Sequence, residues 1–212
     1  LVMVTSALQG DGKTFASINL AISIAMEQDK TVLFVDADVS KASAGKMLGV
    51  PSDSAGLIDV LENKGIELPD VILRTTMDKL AILPAGRAHE RANELLASAS
   101  MVRLMLDLSQ RYSDRVIVFD SPPLLLTTEA GVLAGLMGQV VFVARADKTP
   151  QHAITEALEH IAEDMVVGMV LNGTHRRRSS LFGYGYGYGY GSGYGYGDRQ
   201  GGGASETANG VR

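Results

Sequence analysis

Apolar and polar residues alternate along the chain in blocks that predict strands and helices in turn. Near-continuous apolar runs rich in β-branched residues are typical of buried strands, and apolar residues at a spacing of three to four predict amphipathic helices. The predicted strands lie at residues 1–5, 31–38, 80–86, 115–123, 139–145 and 165–172. The predicted helices lie at residues 14–28, 55–65, 93–112, 129–137 and 149–163, with Asn93 expected to cap the third.

Apolar strands joined by helices predict an α/β fold. The expected architecture is a mostly parallel central sheet covered by helices on both faces, as in a three-layer sandwich. In such sheets ligands bind at the carboxyl ends of the strands. The polar stretches SALQGDGKT, DAD and DSPP each follow a predicted strand, so we expect them to converge on one crevice.

The composition changes sharply near the C-terminus. Half of the 24 glycines lie between Gly183 and Gly210, and six of the seven tyrosines alternate with glycine in the same region. Because such a sequence buries too little apolar surface to fold, residues 174–212 are predicted to form a disordered tail. Residues 1–173 are predicted to form the folded domain. Since the chain lacks an initial Met and begins inside a predicted strand, we expect this domain to be N-terminally truncated.

Charge and residue usage exclude several classes of protein. The chain has no cysteine, so disulfides and thiolate metal sites are excluded. The net charge is −5, although residues 174–212 hold five arginines against Asp198 and Glu206. The folded domain is therefore more acidic than the whole chain, which argues against a nucleic-acid partner for it.

The stretch ALQGDGKT, from Ala7 to Thr14, follows a predicted strand and opens a predicted helix. This context and spacing are typical of a phosphate-binding loop, in which glycines let successive backbone N–H groups surround phosphate oxygens. Lys13 is expected to contact the phosphates and the Thr14 hydroxyl to bind Mg²⁺. The residues predicted to bind nucleotide here are Gly10, Asp11, Gly12, Lys13, Thr14 and Phe15.

Acidic residues end two other predicted strands. Asp36 and Asp38 lie two residues apart in VLFVDAD, and Asp120 ends VIVFD. A carboxylate at such a strand end suits the Mg²⁺ side of a phosphate-loop enzyme. Asn172, at the end of the last strand, is a candidate contact for an adenine edge. The alternative is that Asn172 only forms a turn.

Together these motifs resemble the bacterial tyrosine kinases, whose fold is that of the deviant phosphate-loop ATPases. The resemblance rests on SALQGDGKTF, VLFVDADVSK, VIVFDSPPLL, AGLIDVL, ELLAS and the C-terminal tyrosines, and is strongest to tyrosine autokinases of exosortase and exopolysaccharide loci. It implies that ATP and Mg²⁺ bind, and that Lys13 and Thr14 contact nucleotide. It also implies that Asp36 and Asp38 act at Mg²⁺ and the acceptor hydroxyl, with Asp120 supporting the metal.

The resemblance further implies acceptors, partners and a location. The expected metal ligands are Thr14, Asp38 and Asp120, and the expected phosphoacceptors are Tyr184, Tyr186, Tyr188, Tyr190, Tyr194 and Tyr196. Family members phosphorylate one another within an oligomer and are activated by a membrane protein with a chain-length-determinant-like domain. We therefore expect a homo-oligomer in the cytoplasm, at the inner face of the bacterial plasma membrane.

Two departures and two alternatives remain. Many family members have an arginine two positions after the second aspartate, where this chain has Ser40 followed by Lys41. A partitioning or division-site ATPase is one alternative, but its loop carries an early lysine where this chain has Leu8. The other alternative is a nucleotide-gated binding module whose tail contacts RNA.

Overall fold

One sheet of seven strands organises the part of the chain described by the computed structural model, which comprises residues 1–62 and 65–174. The strands are β1 (Val2–Ser6), β2 (Thr31–Asp36), β3 (Leu73–Arg74), β4 (Leu80–Leu83), β5 (Arg115–Asp120), β6 (Gln139–Arg145) and β7 (Val166–Asn172). Their order is β3-β4-β2-β5-β1-β6-β7, and every neighbouring pair is parallel except β3 with β4. The predicted α/β fold with a mostly parallel sheet is confirmed.

Eight helices within the described residues connect these strands. They are α1 (Lys13–Ala25), α2 (Ser43–Met47), α3 (Leu57–Leu61), α4 (Leu68–Val71), α5 (Ala92–Leu96), α6 (Ala99–Arg111), α7 (Thr128–Ala134) and α8 (Gln151–Leu158). α1 packs on one face of the sheet, where Ile18 and Ala21 join Val4, Phe34 and Val118 in one core. The opposite face packs against α3 to α8 in a second core. Adjacent strand residues supply the two cores because their side chains point to opposite faces.

The predicted helix over 93–112 is wrong in one respect, because the structure divides it into α5 and α6. Ser98 separates them, and its hydroxyl oxygen accepts a hydrogen bond from the Met101 N–H at 3.2 Å. Serine is favoured at such an N-cap because it satisfies a helix N–H that has no partner inside the helix. Asn93 is therefore not a cap: its Oδ1 accepts a hydrogen bond from the Ser40 hydroxyl at 2.8 Å.

Periodicity also misplaces some ends and misses short elements. β2 stops at Asp36 and β5 at Asp120, so Asp38 lies beyond its strand. α2, α4 and β3 hold only two to five residues each, too few for a periodic pattern to reveal. The predicted tail and its boundary with the folded domain fall almost entirely outside the described residues and stay predictions. Within residues 1–62 and 65–174, no helix combines the length and apolar character needed to cross a bilayer.

Candidate active site

The loop between β1 and α1 has the backbone shape that its glycines allow. Gly10 and Gly12 adopt φ values of +90° and +95°, in the region that side chains disfavour. Gly12 precedes α1 directly, and no side chain caps the helix. The first N–H groups of this 13-residue helix are thus available to an anion, which the helix dipole also favours.

Three side chains, from β6, β7 and the segment after β6, hold this loop in place. The Asn172 amide donates to the Asp11 carbonyl at 2.9 Å, and Arg145 donates to the Gly10 carbonyl at 3.1 Å. The Thr149 hydroxyl donates to Asp11 Oδ1 at 2.7 Å. Asp11 Oδ2 meanwhile accepts the Leu8 N–H at 3.1 Å. The Asp11 carboxylate therefore shapes the loop from within, leaving its backbone as the part that can meet a phosphate.

Asn172 also explains why residue 12 is glycine. A Cβ atom at Gly12 would overlap with the Asn172 amide nitrogen. Asn172 thus lies against the backbone of the phosphate loop. Its predicted contact with adenine stays a prediction. Phe15, also predicted to bind nucleotide, is 58% exposed on the first turn of α1.

Lys13 points into the crevice and forms an ion pair with Asp38. Both side chains are almost fully buried. A buried ion pair is costly to form unless it is well satisfied, and breaking one by removing a partner is strongly destabilising. Asp38 is therefore engaged by Lys13, and Lys13 has a carboxylate partner that a phosphate would have to replace or share.

Asp36 and Asp120 lie side by side. They are register partners at the ends of β2 and β5, and the Ala37 N–H donates to the Asp120 carbonyl at 2.8 Å. Neighbouring strands are about 4.8 Å apart, so two carboxylates here repel each other. Both residues have no measurable solvent exposure. Asp36 Oδ2 accepts the Gly45 N–H at 3.1 Å.

Three oxygens of this acid pair form no hydrogen bond of ordinary geometry within residues 1–62 and 65–174. They are Asp36 Oδ1 and both Asp120 carboxylate oxygens, although the Thr14 and Ser17 hydroxyls lie near enough to Asp120 to lower its pKa. Burial, reinforced by the Asp120 charge, raises the pKa of Asp36 to about 7. Burial also raises the pKa of Asp120 to about 6, against the opposing charge of Lys13. A proton or a cation would relieve both carboxylates.

These oxygens fit a magnesium ion. Mg²⁺ prefers oxygen ligands and usually keeps several waters, completing its shell with one or two carboxylates and substrate phosphates. Asp120 supplies such a carboxylate, and the Thr14 hydroxyl lies 3.2 Å from that of Ser43 at the start of α2. No cluster of three or more His, Cys, Asp or Glu side chains able to hold a metal occurs within the described ranges. One carboxylate and one hydroxyl leave several positions of a Mg²⁺ shell for waters and for the phosphates of a nucleotide.

Sequence reasoning missed Arg145, Thr149 and Ser43 at this site. Arg145 and Thr149 are more than 130 residues from the loop that they hold, and no local motif marks them. The six predicted phosphoacceptor tyrosines lie outside the described residues. The structure places the other predicted residues, from Gly10 to Phe15 and the three aspartates, around the carboxyl ends of β1, β2 and β5.

Comparison with known proteins places this site in a family. A family model described as an AAA domain matches residues 2–163. The tyrosine-protein kinase YwqD of Bacillus subtilis is 30% identical over 185 residues, which cover 86% of this chain and 76% of that protein. The chain belongs to the bacterial tyrosine-protein kinases.

This chain spans only part of other proteins that it resembles. The succinoglycan biosynthesis transport protein ExoP of Rhizobium meliloti is 32% identical over 82% of this chain, which spans only 22% of that protein. The solved kinase domain of the Escherichia coli tyrosine kinase ETK is 29% identical, with a TM-score of 0.75, over 87% of this chain and 71% of that structure. The septum site-determining protein MinD of Pyrococcus horikoshii, complexed with Mg-ADP, is 24% identical with a TM-score of 0.66, over 80% of this chain and 68% of that structure. At that identity, the likeness to the septum site-determining protein shows a shared fold alone. The higher identity to tyrosine-protein kinases therefore supports the kinase family over the partitioning-type alternative.

Proposed function

We propose that this chain transfers the γ-phosphoryl group of ATP to tyrosine hydroxyls. The observation that carries the proposal is the buried, unpartnered acid pair of Asp36 and Asp120 beside a phosphate loop. Membership of the tyrosine-protein kinases supports tyrosine as the acceptor. Six tyrosines of the chain lie between Tyr184 and Tyr196, and we propose that a neighbouring subunit phosphorylates them.

The loop from Gly10 to Thr14 would bind the phosphates of ATP. Its backbone N–H groups and the uncapped N-terminus of α1 would donate to the phosphates, and the Lys13 ammonium, now paired with Asp38, would supply a positive charge. A triphosphate offers the Lys13 ammonium more negative charge than the Asp38 carboxylate does. ATP binding would therefore draw Lys13 from Asp38 towards the β and γ phosphates and release Asp38 for other contacts.

In the proposed reaction, the tyrosine oxygen attacks the γ-phosphorus. A new oxygen–phosphorus bond forms while the bond from the γ-phosphorus to the bridging oxygen breaks, and its electron pair leaves with ADP. The phenol proton passes to Asp36, whose pKa of about 7 suits a base near neutral pH. Because such transition states are loose, the protein acts mainly by positioning the reactants and stabilising charge.

Asp120 and Thr14 would hold Mg²⁺, joined by Asp38 once Lys13 has moved. When bound, the metal neutralises phosphate charge and relieves the repulsion between the two buried carboxylates. The assignment of these three residues as metal ligands is part of the proposal, as is the requirement for ATP and Mg²⁺ as cofactors. Asn172 retains its proposed place near the nucleotide because it contacts the phosphate loop directly.

We further propose that the chain acts in exopolysaccharide synthesis or export, as a homo-oligomer. The relationship to a succinoglycan biosynthesis transport protein supports this setting. A membrane protein with a chain-length-determinant-like domain would activate it at the inner face of the plasma membrane. The acidic composition of the folded domain supports the absence of a nucleic-acid partner.

The test separates the two members of the acid pair. The purified chain is incubated with ATP and Mg²⁺, and phosphotyrosine is mapped by mass spectrometry. We expect Asp36→Asn to retain most of its ATP affinity and to lose phosphorylation by about a hundredfold, as for removal of a general base. Asp120→Asn should instead need a higher Mg²⁺ concentration, because a ligand charge is lost.

Asp29→Asn, at an exposed position, is the matched control and should behave as wild type. Normal phosphorylation by both Asp36→Asn and Asp120→Asn would show that the acid pair is misassigned. ATP hydrolysis by the wild-type chain without any phosphotyrosine would favour a regulatory ATPase of the partitioning type. Salt-sensitive RNA binding that depends on residues 174–212 would favour the binding module instead.

A further inference from the structure

A groove of about 560 Å³ opens beside Asp36 at the carboxyl end of β2. One wall comprises Gly45 of α2 and the segment 49–52, and the other is the segment 84–86 that follows β4. Asp36 lines the groove, fully buried, with its Oδ1 unpartnered among the described residues. An open groove that leads to an unsatisfied buried carboxylate is suited to a ligand that donates a hydrogen bond there.

The walls of this groove suit a flat ring. They consist largely of glycine, proline and small apolar residues, which are Gly45, Gly49, Val50, Pro51, Pro84 and Gly86. Such residues leave space for an aromatic ring and offer it apolar contact, while its hydroxyl reaches the polar end. The tyrosines of the C-terminal cluster are each flanked by glycine, so no neighbouring side chain would block their entry.

Two lysines line the same groove. Lys41 precedes α2 and Lys46 lies within it, and both line the groove with exposed side chains. Neither forms an ion pair or a side-chain hydrogen bond with any residue in the two described segments. Two ammonium groups beside a proposed catalytic carboxylate form a local positive charge on an acidic domain, which favours an anionic substrate.

The spacing of the tyrosine cluster supplies such an anion. In an extended chain, residues two apart point to the same side and lie about 6.5–7 Å from one another. Four tyrosines alternate with glycine from Tyr184 to Tyr190. When one of them is phosphorylated, it carries about −1.5 to −2 charges and three strong acceptor oxygens next to an unmodified tyrosine.

We propose that the groove selects a tyrosine whose neighbour two residues away already carries a phosphate, and that Lys41 and Lys46 bind that phosphate. The inference rests on the proposed kinase function and names its preferred substrate class, a partly phosphorylated Tyr-Gly segment. The first phosphorylation of a tail is then the slow one, and each phosphate makes the adjacent tyrosine a better acceptor. This also gives Lys41 a role, although the arginine typical of the family is replaced by Ser40 one position earlier.

The test uses three synthetic heptapeptides, each with one acceptor tyrosine and phenylalanine at the remaining aromatic positions. In the first, a phosphotyrosine lies two residues from the acceptor; in the second, four residues away; the third carries no phosphate. The first two have the same charge, so they differ in spacing alone. The 212-residue chain is assayed with ATP and Mg²⁺ by mass spectrometry of the peptide, and peptide binding is measured by fluorescence anisotropy with ADP present.

We expect kcat/KM for the first peptide to exceed that for the third by about tenfold, equivalent to about 1.4 kcal/mol, with the second in between. Lys41→Gln and Lys46→Gln should each reduce the ratio, and the double variant should bring it close to one. Lys30→Gln removes the same charge at an exposed position before β2 and should leave the ratio intact. Ten-millimolar inorganic phosphate should lower the ratio only slightly, because free phosphate lacks the tethered tyrosine.

Equal rates for the three peptides would overturn the inference while leaving the proposed kinase function in place. A preference that survives in the double variant would overturn it as well, as would equal rates for the first two peptides, since general charge attraction would then suffice. Binding in the expected order without phosphorylation of any peptide or of the tail would support the groove and contradict the proposed function.

Discussion

The phosphate loop and the acid pair of Asp36 and Asp120 lie close together but differ in how well their carboxylates are hydrogen-bonded. In the loop, Asp11 accepts hydrogen bonds at both carboxylate oxygens, one of them from Thr149, and side chains from β6 and β7 hold the loop backbone. In the acid pair, three of the four carboxylate oxygens of Asp36 and Asp120 form no hydrogen bond of ordinary geometry with the described residues. The carboxylate of the loop is satisfied within the protein, whereas the carboxylates of the acid pair are not.

This difference indicates that the loop is prepared to bind phosphate, whereas the acid pair depends on a ligand to satisfy its carboxylates. A loop held by its own contacts is preorganised, so little ordering entropy is lost when phosphates bind. Buried carboxylates without partners are destabilising, and such groups persist at functional sites where a ligand later satisfies them. The Lys13–Asp38 ion pair joins the two regions, since Lys13 belongs to the loop and Asp38 follows the strand of Asp36.

The largest effect should come from breaking the Lys13–Asp38 ion pair. Lys13→Met removes the charge expected at the phosphates and leaves the Asp38 carboxylate buried and unpaired. We expect phosphorylation to fall by at least about a hundredfold, and the free energy of unfolding to fall by about 3–5 kcal/mol. Phosphotyrosine formation and urea denaturation of the same preparation measure the two effects.

A second substitution separates stability from activity. Lys13→Met with Asp38→Asn removes both charges, so the double variant should regain most of the lost stability and none of the phosphorylation. Recovery of phosphorylation in the double variant would mean that Lys13 serves mainly to neutralise Asp38. Unchanged stability in the single variant would show that the ion pair contributes nothing to the ligand-free fold.

The same two regions differ in how far sequence reveals them. The loop motif and the acidic strand ends are local patterns, so Lys13, Asp36 and Asp120 could be named from the sequence. The side-by-side position of Asp36 and Asp120 depends on β2 pairing with β5, and the contacts of Arg145 and Asn172 depend on β6 and β7 following β1. Periodicity predicts strands but not their order, which is a property of the whole packed sheet.

The next largest effect concerns pH and the acid pair. The folded-state pKa of Asp120 is raised from 3.8 to about 6, so the unfolded chain loses this proton at a lower pH. The stability associated with the protonated group is therefore full below about pH 4 and is lost as the pH rises through about 6. Asp120→Asn lacks this titration. We expect its stability relative to wild type to improve by about 3 kcal/mol between pH 4 and pH 8.

The measurement is urea denaturation of both proteins without nucleotide or divalent cations across that pH range. Only the difference between them is interpreted, because carboxylates far from this site titrate equally in both. Asp36 does not, since its pKa is raised partly by the Asp120 charge, and the loss of that charge in the variant adds to the expected improvement. Asp29→Asn, an exposed position, should show a constant difference from wild type. If the stability difference between Asp120→Asn and wild type were also constant with pH, water or protein motion would be satisfying the Asp120 carboxylate. The acid pair would then differ less from the loop than the structure indicates. Added Mg²⁺ and ADP should remove the advantage of the variant.

The smallest effect should come from loosening the loop. The Thr149 hydroxyl donates to Asp11 Oδ1 at 2.7 Å and accepts from the Arg145 N–H at 2.8 Å. Thr149→Val preserves shape and removes both hydrogen bonds, at a cost of about 1 kcal/mol. We expect ADP affinity, measured by isothermal titration calorimetry, to fall by about two- to fivefold, since part of the loop must then be ordered by the ligand. Thr155→Val is the control, because its hydroxyl donates to the Gln151 carbonyl on the exposed side of α8, away from the loop. If Thr149→Val lost stability but kept its ADP affinity, the Thr149 contact would stabilise the fold without affecting nucleotide binding. The loop would then not be preorganised for phosphate by this side chain.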